Sequence, residues 1–212
     1  MSSVIETEVE ELLRLAHGGD SEALGRLLEL YRGYLSLLAR LQIGRRLQGK
    51  VDAADLVQDT FLEAHRHFGA FRGSVEAELV SWLRQILAGL LANLVRRYCG
   101  TQRRDVTLER ELANELDRSS AVLDRGLAGG HSTPSERASR REQAVLLADA
   151  LERLPDDYRE VIILRHLEGL SFAEISDRMG RSVDSVKNLW ARALAQLRRS
   201  LGATDGKVDG RQ

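Results

Sequence analysis

The residues best suited to chemistry on a partner lie near the end of the chain. Arg181, Ser182, Asp184, Ser185, Lys187, Asn188 and Arg192 follow Gly180 at spacings that put them on one side of a helix. Their side chains are cationic or hydrogen-bonding, the kinds that serve a DNA duplex. Arg181 and Ser182 stand where a helix N-terminus offers free backbone donors to a phosphate. Ser185, Lys187 and Asn188 stand one turn in, within reach of base edges in the major groove. Arg192, Arg198 and Arg199 suit phosphates. Asp184 would repel a phosphate, but it can accept from a cytosine amine or orient Arg181. The competing reading is a helical hairpin with a solvated face.

A second set is basic. From Arg84 to Arg104 there are five arginines (Arg84, Arg96, Arg97, Arg103, Arg104) and no acid, so 5 − 0 = +5. From Asp105 to Arg137 there are four arginines and seven acids, so 4 − 7 = −3. With Trp82 and Tyr98 beside them, the arginines suit single-stranded or melted DNA, charge tracking the backbone and a ring stacking on an unpaired base. The spacing of Trp82 and Ile86 favours a core role for Trp82; Tyr98 stays open. The arginines also suit a helix C-terminus on dipole grounds alone.

Enzymatic readings find less. Asp55 and Asp59 lie four apart beside Asp52, with His65 and His67 near, but the spacing is not that of a metal site. With Gln58 they read more simply as a protein-binding patch. Cys99 lies near Arg97, which could lower its pKa, yet an idle thiol is the plainer reading. There is no phosphate-binding glycine loop and no nucleophile with its base. No cofactor, metal or catalytic residue is expected.

The elements that must position these groups are helices. Glu6 to His17 reads as the first, ended by Gly18-Gly19. Asp20 caps a second, with Leu24, Leu27, Leu28, Tyr31, Leu35 and Leu38 on one face. Asp52 opens a third and Val75 to Tyr98 makes a fourth, long one; the four could form a bundle. Residues 102–133 are thin in apolar positions and carry Gly126, Gly129 and Gly130, so a flexible linker with at most a transient turn of helix is expected. Thr133-Pro134-Ser135-Glu136 reads as a helix start. Pro155, the Ser171-Phe172-Ala173-Glu174 box and Ser182 open three more helices. The last two, separated by Met179-Gly180-Arg181-Ser182, fit a helix-turn-helix with Ile175, Met179, Val183 and Val186 as its small core.

The expected organisation is therefore all-α: residues 1–101 a helical domain, 102–133 a linker, 134–201 a second domain, and 202–212 a frayed tail. Composition agrees, since 43% of the 212 residues are apolar, only 5% are aromatic and only two are proline. The net charge of −1 argues against a purely electrostatic nucleic-acid binder. One cysteine points to a reducing compartment. The acidic first residues do not read as a signal peptide, and the most apolar window, Ile86 to Val95, is too short for a bilayer. A cytoplasmic protein without membrane insertion is expected.

Two ordered strings carry a resemblance. Asp52-Ala-Ala-Asp-Leu-Val-Gln-Asp-Thr-Phe-Leu62, then Phe71-Arg72-Gly73 and Ser81-Trp82-Leu83, resemble region 2 of extracytoplasmic-function (ECF) sigma factors of the sigma-70 family. Leu154-Pro-Asp-Asp-Tyr-Arg-Glu-Val161, Leu170 to Gly180 and Ser182 to Lys187 resemble region 4. The resemblance implies a subunit that binds core RNA polymerase and directs promoter-specific initiation. It implies that Asp52, Asp55, Leu56, Gln58, Asp59 and Phe61 meet the clamp helices of the largest subunit. Phe71 to Glu78 would hold a flipped base of the −10 element, with Phe71, Arg72, Asn93, Arg96, Arg97 and Tyr98 as the −10 contacts. The linker would pass near the RNA exit region. Region 4 would read the −35 element through Arg181, Ser182, Asp184, Ser185, Lys187, Asn188 and Arg192 and meet the flap of the second-largest subunit. An anti-sigma factor is an implied partner. The chain departs from the pattern at Ala88-Gly89 and Asn93, where many members carry Arg-Asn and an Asp, and at Asp184-Ser185 and Asn188-Leu189. The rival readings are a conventional helix-turn-helix regulator and a sigma mimic that does not bind DNA. A further expectation is that the acidic Asp105–Asp124 segment covers the basic run in the free protein.

Overall fold

The computed structural model describes residues 2–46, 51–99, 106–126 and 134–205, and among them every regular element is helical. The chain divides into two compact units, Met1–Val145 and Leu146–Gln212.

In the first unit, α1 (Ser2–His17) buries Val9, Leu12, Leu13 and Ala16, one stripe at helical spacing. Gly19, at φ +94°, turns the chain, and the Asp20 carboxylate caps α2 (Ser21–Glu29) by accepting from the amides of Glu22 and Ala23. The single second helix expected from the sequence is in fact two. Tyr31 donates its amide to Leu28 rather than continuing the ladder, and α3 (Arg32–Arg46) starts after it. Burial explains the break. Tyr34 to Ala39, Leu41, Gln42 and Ile43 are all buried, so α3 is covered nearly all round and is central, whereas α2 has one apolar face and covers α1.

α4 (Ala53–His67) is capped by Asp52, which accepts from the Ala54 amide at 2.9 Å. A 3-10 turn, Phe68–Ala70, leads into α5 (Glu76–Cys99). By length and composition α5 could cross a bilayer. Here it is the core helix of the first unit, with Leu79, Leu83, Leu87, Leu91 and Val95 buried on one side.

The segment read as linker contains α6 (Val106–Gly126), not a transient turn. It packs along α5 and α3 with Leu112 and Leu116 fully buried. As for most helices in a folded protein, its stability comes from packing, here against α5 and α3.

α7 (Pro134–Glu152) begins at the expected proline; the capping bonds expected from Thr133 and Glu136 lie outside the described residues. In the second unit its last turn is followed by α8 (Asp156–Ile162), a π-helical turn (Ile163–Leu167), α9 (Phe172–Met179) and α10 (Val183–Asp205). α10 runs on past Leu201, where the sequence reading ends its domain.

Candidate nucleic-acid and polymerase interfaces

The helix-turn-helix is built from local chemistry. Ser171 and Glu174 form a reciprocal capping box, in which Ser171 Oγ accepts from the Glu174 amide and Glu174 Oε2 from the Ser171 amide at 2.7 Å. Those bonds to Ser171 hold the Glu174 carboxyl below its usual range. Gly180 takes the left-handed conformation, φ +63° and ψ +34°, that ends α9. Ser182 Oγ accepts from the Ser185 amide and starts α10. Ile175 and Val186 are fully buried at the crossing, as expected; Met179 and Val183 are only half-buried, and Ala193 and Leu197 extend the core instead.

All seven side chains expected to face −35 DNA (Arg181, Ser182, Asp184, Ser185, Lys187, Asn188 and Arg192) are exposed. Asp184 pairs with Lys187 at 3.6 Å rather than orienting Arg181. Arg181 pairs instead with Asp157, in the first turn of α8, which the sequence reading did not single out.

The second unit holds another feature that the motif hides. Arg159 is 8% exposed. Its guanidinium donates to the backbone oxygens of Leu151 (3.0 Å), Glu152 (2.7 Å) and Leu154 (2.9 Å), closing the end of α7, and to Asp156 Oδ1 (2.9 Å). Nearby, Trp190 Nε1 donates to His166 Nε2 at 3.0 Å, and Trp190 meets Phe172 edge-on at 5.5 Å. Accepting from Trp190 requires an unprotonated Nε2, and burial, then the Arg165 charge, push the His166 pKa down.

In the first unit, Asp55, Gln58 and Asp59 are exposed along α4 with Leu62, 48% exposed, on the same side. Asp52 spends its carboxylate on the cap. Leu56 is 1% exposed, so it belongs to the core and offers no surface to a partner; Phe61 is half-buried beneath the Arg32 guanidinium, 4.9 Å from its ring centre.

Phe71 is likewise turned inward. It is 8% exposed and stacks on Trp82 with centroids 4.7 Å apart, inside a cluster with His17 and Phe68. A Cβ on Gly73 would lie 2.2 Å from Phe71 Cζ, so only glycine lets the ring lie flat against the turn. Phe71 therefore shapes the 71–78 turn from beneath, and Trp82 is half-buried with one ring face occupied. Arg72 is exposed and donates to the Gly69 and Phe71 carbonyls.

The basic run is not one surface. Arg84 and Arg96 are twelve residues apart, about 18 Å along α5 and about 120° around it. Arg84 faces α6 and α3, donating to Asp117 (2.8 Å), Tyr34 (3.1 Å) and Ser120 (3.3 Å). Burial opposes its charge, but Tyr34 and Asp117 outweigh that and raise its pKa. Arg97 and Tyr98 are exposed at the far end of α5 with Asn93, which accepts from half-buried Arg96. Arg103, Arg104 and the Cys99 thiol lie outside the described residues.

The Sigma-70 region 2 family matches residues 30–101 and Sigma-70 region 4 matches residues 144–197. The ferric citrate uptake sigma factor FecI of Escherichia coli is 31% identical over 150 residues, 71% of this chain and 76% of that protein. This chain belongs to the ECF sigma-70 family. Among its relatives, the ECF sigma factor BldN of Streptomyces coelicolor is 31% identical over 90% of this chain, which spans 65% of BldN's length. The ECF sigma-E factor of Haemophilus influenzae is 28% identical, with 87% of this chain and 90% of that protein covered. Among solved structures, CnrH in complex with the cytosolic domain of CnrY matches at 24% identity over 92% of this chain and 98% of that chain, with a TM-score of 0.34. This sigma factor is thus a promoter-directing transcription initiation factor with regions 2 and 4 in separate units.

Proposed function

We propose that this sigma factor binds core RNA polymerase through the exposed acidic side of α4 and reads promoters with two surfaces. Asp55, Gln58 and Asp59 meet the clamp of the largest subunit, with Asp52 fixing the helix start and Leu56 and Phe61 supporting it. Arg72, Asn93, Arg96, Arg97 and Tyr98 meet the −10 element around the turn that Phe71 shapes. Arg181, Ser182, Asp184, Ser185, Lys187, Asn188 and Arg192 meet the −35 element, and the same unit touches the flap of the second-largest subunit. Residues 1–101 carry the clamp and −10 sets, 134–201 carry the −35 set, and 102–133 join them. The chain works in the cytoplasm, holds no cofactor and catalyses no reaction itself; an anti-sigma factor restrains it.

One observation carries this reading. All seven −35 candidates are exposed on a helix-turn-helix whose caps and turn are satisfied from within. The test is run-off transcription with purified chain, bacterial core polymerase and a genomic promoter library. Promoter-specific transcripts that need the chain support it. Their absence, with core binding intact, sinks it. Asn188→Ala should relax one −35 position by about 1–3 kcal/mol of discrimination, whereas Arg192→Ala, at a phosphate contact, should weaken all promoters alike.

A further inference from the structure

Val75 is an apolar side chain at a place where the fold itself favours a polar one, and we propose that with it the 71–78 turn recognises the C5-methyl group of an unpaired thymine in the −10 element. The inference deepens the functional reading above and rests on it, since that reading brings the turn to melted promoter DNA. Phe71, which the family resemblance offers as a −10 contact, is spent beneath the turn on Trp82.

Two costs mark the position. Among the described residues, Leu62, Val75 and Tyr98 are the large apolar side chains that stand exposed. Leu62 lies beside the clamp candidates and Tyr98 is itself a −10 candidate, whereas Val75, 45% exposed, has no such assignment. Val75 also stands at the N-cap of α5. Its carbonyl accepts from the Glu78 and Leu79 amides at 3.1 and 3.2 Å. Its side chain has no oxygen to offer the amides of the first turn, and valine is among the poorest residues there. The same chain shows the better solution, since Ser171-Phe-Ala-Glu174 closes a full capping box on α9. Val75-Glu-Ala-Glu78 has the glutamate of such a box without the hydroxyl, and Glu78 Oε2 accepts instead from the Ser74 amide at 2.8 Å. A serine at 75 would supply the cap and remove the exposed apolar surface, yet the chain carries valine.

The turn holds that valine in place. The Phe71 ring stacked on Trp82 supports the turn from below, and its close approach leaves no room for a side chain at 73. Tyr31 Oη, at the junction of α2 and α3, donates to Glu76 Oε1 at 2.9 Å. A β-branched side chain is stiff at χ1, so its methyl groups are presented at a fixed point. Charge suits a nucleic acid as well. The two acids of the first turn are engaged by protein donors, Glu76 by Tyr31 and Glu78 by Ser74. Arg72 is exposed and uses only Nη1 on the Gly69 and Phe71 carbonyls, which leaves the rest of its guanidinium for a phosphate. An apolar contact at a pyrimidine edge selects by the methyl group that thymine has and cytosine lacks. Burying one group of that size is worth about fourfold in affinity.

The test removes the methyl group alone. On a promoter recovered by run-off transcription with the full-length chain and core polymerase, each −10 thymine is replaced in turn by uracil, and holoenzyme affinity is measured by gel shift. One replacement should weaken binding by the parent holoenzyme about fourfold and leave binding by the Val75→Ser holoenzyme unchanged. Val75→Ile, which keeps the apolar contact and adds no cap, should retain the methyl sensitivity. Val75→Ser should keep the parent's affinity for core and raise the Tm of the first unit by about 2–4 °C, read by Trp82 fluorescence in a Trp190→Phe background. Equal methyl sensitivity in parent and Val75→Ser, or none in the parent, would overturn the assignment and leave the sigma role standing. A lower Tm in Val75→Ser would make Val75 a folding residue and overturn it too. If no promoter-specific transcript depends on the chain, the functional reading fails and the assignment with it.

Discussion

Truncating Arg159 to alanine should destabilise the second unit far more than a charge-count view allows. The guanidinium satisfies three backbone oxygens at 2.7–3.0 Å, with the Leu151 and Leu154 residues only 2% and 3% exposed. A hydrogen bond from a charged donor contributes about 1.5–3 kcal/mol net, and an abandoned buried acceptor costs a similar amount. Asp156 is 92% exposed, so its pairing adds little. Water entering the vacated space recovers part of the loss. The expected net cost is about 3 kcal/mol, a large fraction of what a unit of this size commands. With a urea m-value of about 1 kcal/mol/M, the unfolding midpoint should fall by about 3 M. The assay is urea unfolding of the full chain carrying Trp82→Phe, so that Trp190 fluorescence reports the second unit alone. Arg159→Lys should recover less than half of the loss, because an ammonium keeps the charge but not the planar fork. An alanine variant whose midpoint stays within about 0.5 M of its parent would refute the view that Arg159 closes α7.

Asp157→Asn should free Arg181 at little cost in stability, since both partners are partly exposed, and should raise −35 DNA affinity several-fold at low salt while steepening the salt dependence by about one unit. Fluorescence anisotropy across a salt series measures both. Gly73→Ala should cost about 1–3 kcal/mol, because the new methyl group overlaps the Phe71 ring; loss of near-ultraviolet circular dichroism from the Phe71–Trp82 stack would mark the displacement. His166 has a folded-state pKa below its unfolded value of about 6.5, so its contribution to stability is fully present above about 6.5 and is lost progressively as pH falls from there toward the lower folded-state value. Thermal melts between pH 7.5 and pH 5.5 should therefore show a decline in the second unit that is smaller in His166→Asn.

Where the determinants are local, the sequence was readable. The Ser171–Glu174 box, the Gly180 turn and the Ser182 cap specify the helix-turn-helix within a dozen residues, and the structure has all three. Where tertiary contact decides, it was not. No glycine or proline marks the break at Leu30–Tyr31, and the helical period continues straight through it. Part of what holds α6, the contacts of Arg84 and Tyr34 with Asp117 and Ser120, is polar and does not register in a count of apolar positions. Counting charge along the chain grouped Arg84 with Arg96, although a helix turns them to different sides. Family strings mix roles in the same way. Leu56 and Phe71 stand beside exposed candidate contact residues in the string but are themselves buried.

The wide turn at Ile163–Leu167 has a consequence for how this unit can vary. Val161, Ile162, Ile163 and Leu164 are all buried, four in a row, which an unbroken α-helix cannot present to one side. The π-turn accommodates one extra residue per coil and so re-phases everything after it by about 100°. Deleting one residue from 163–165 should restore a regular helix and swing His166 away from Trp190. Length, rather than identity, is the constrained quantity here: point substitutions among aliphatic residues should be absorbed, whereas a single-codon deletion should not.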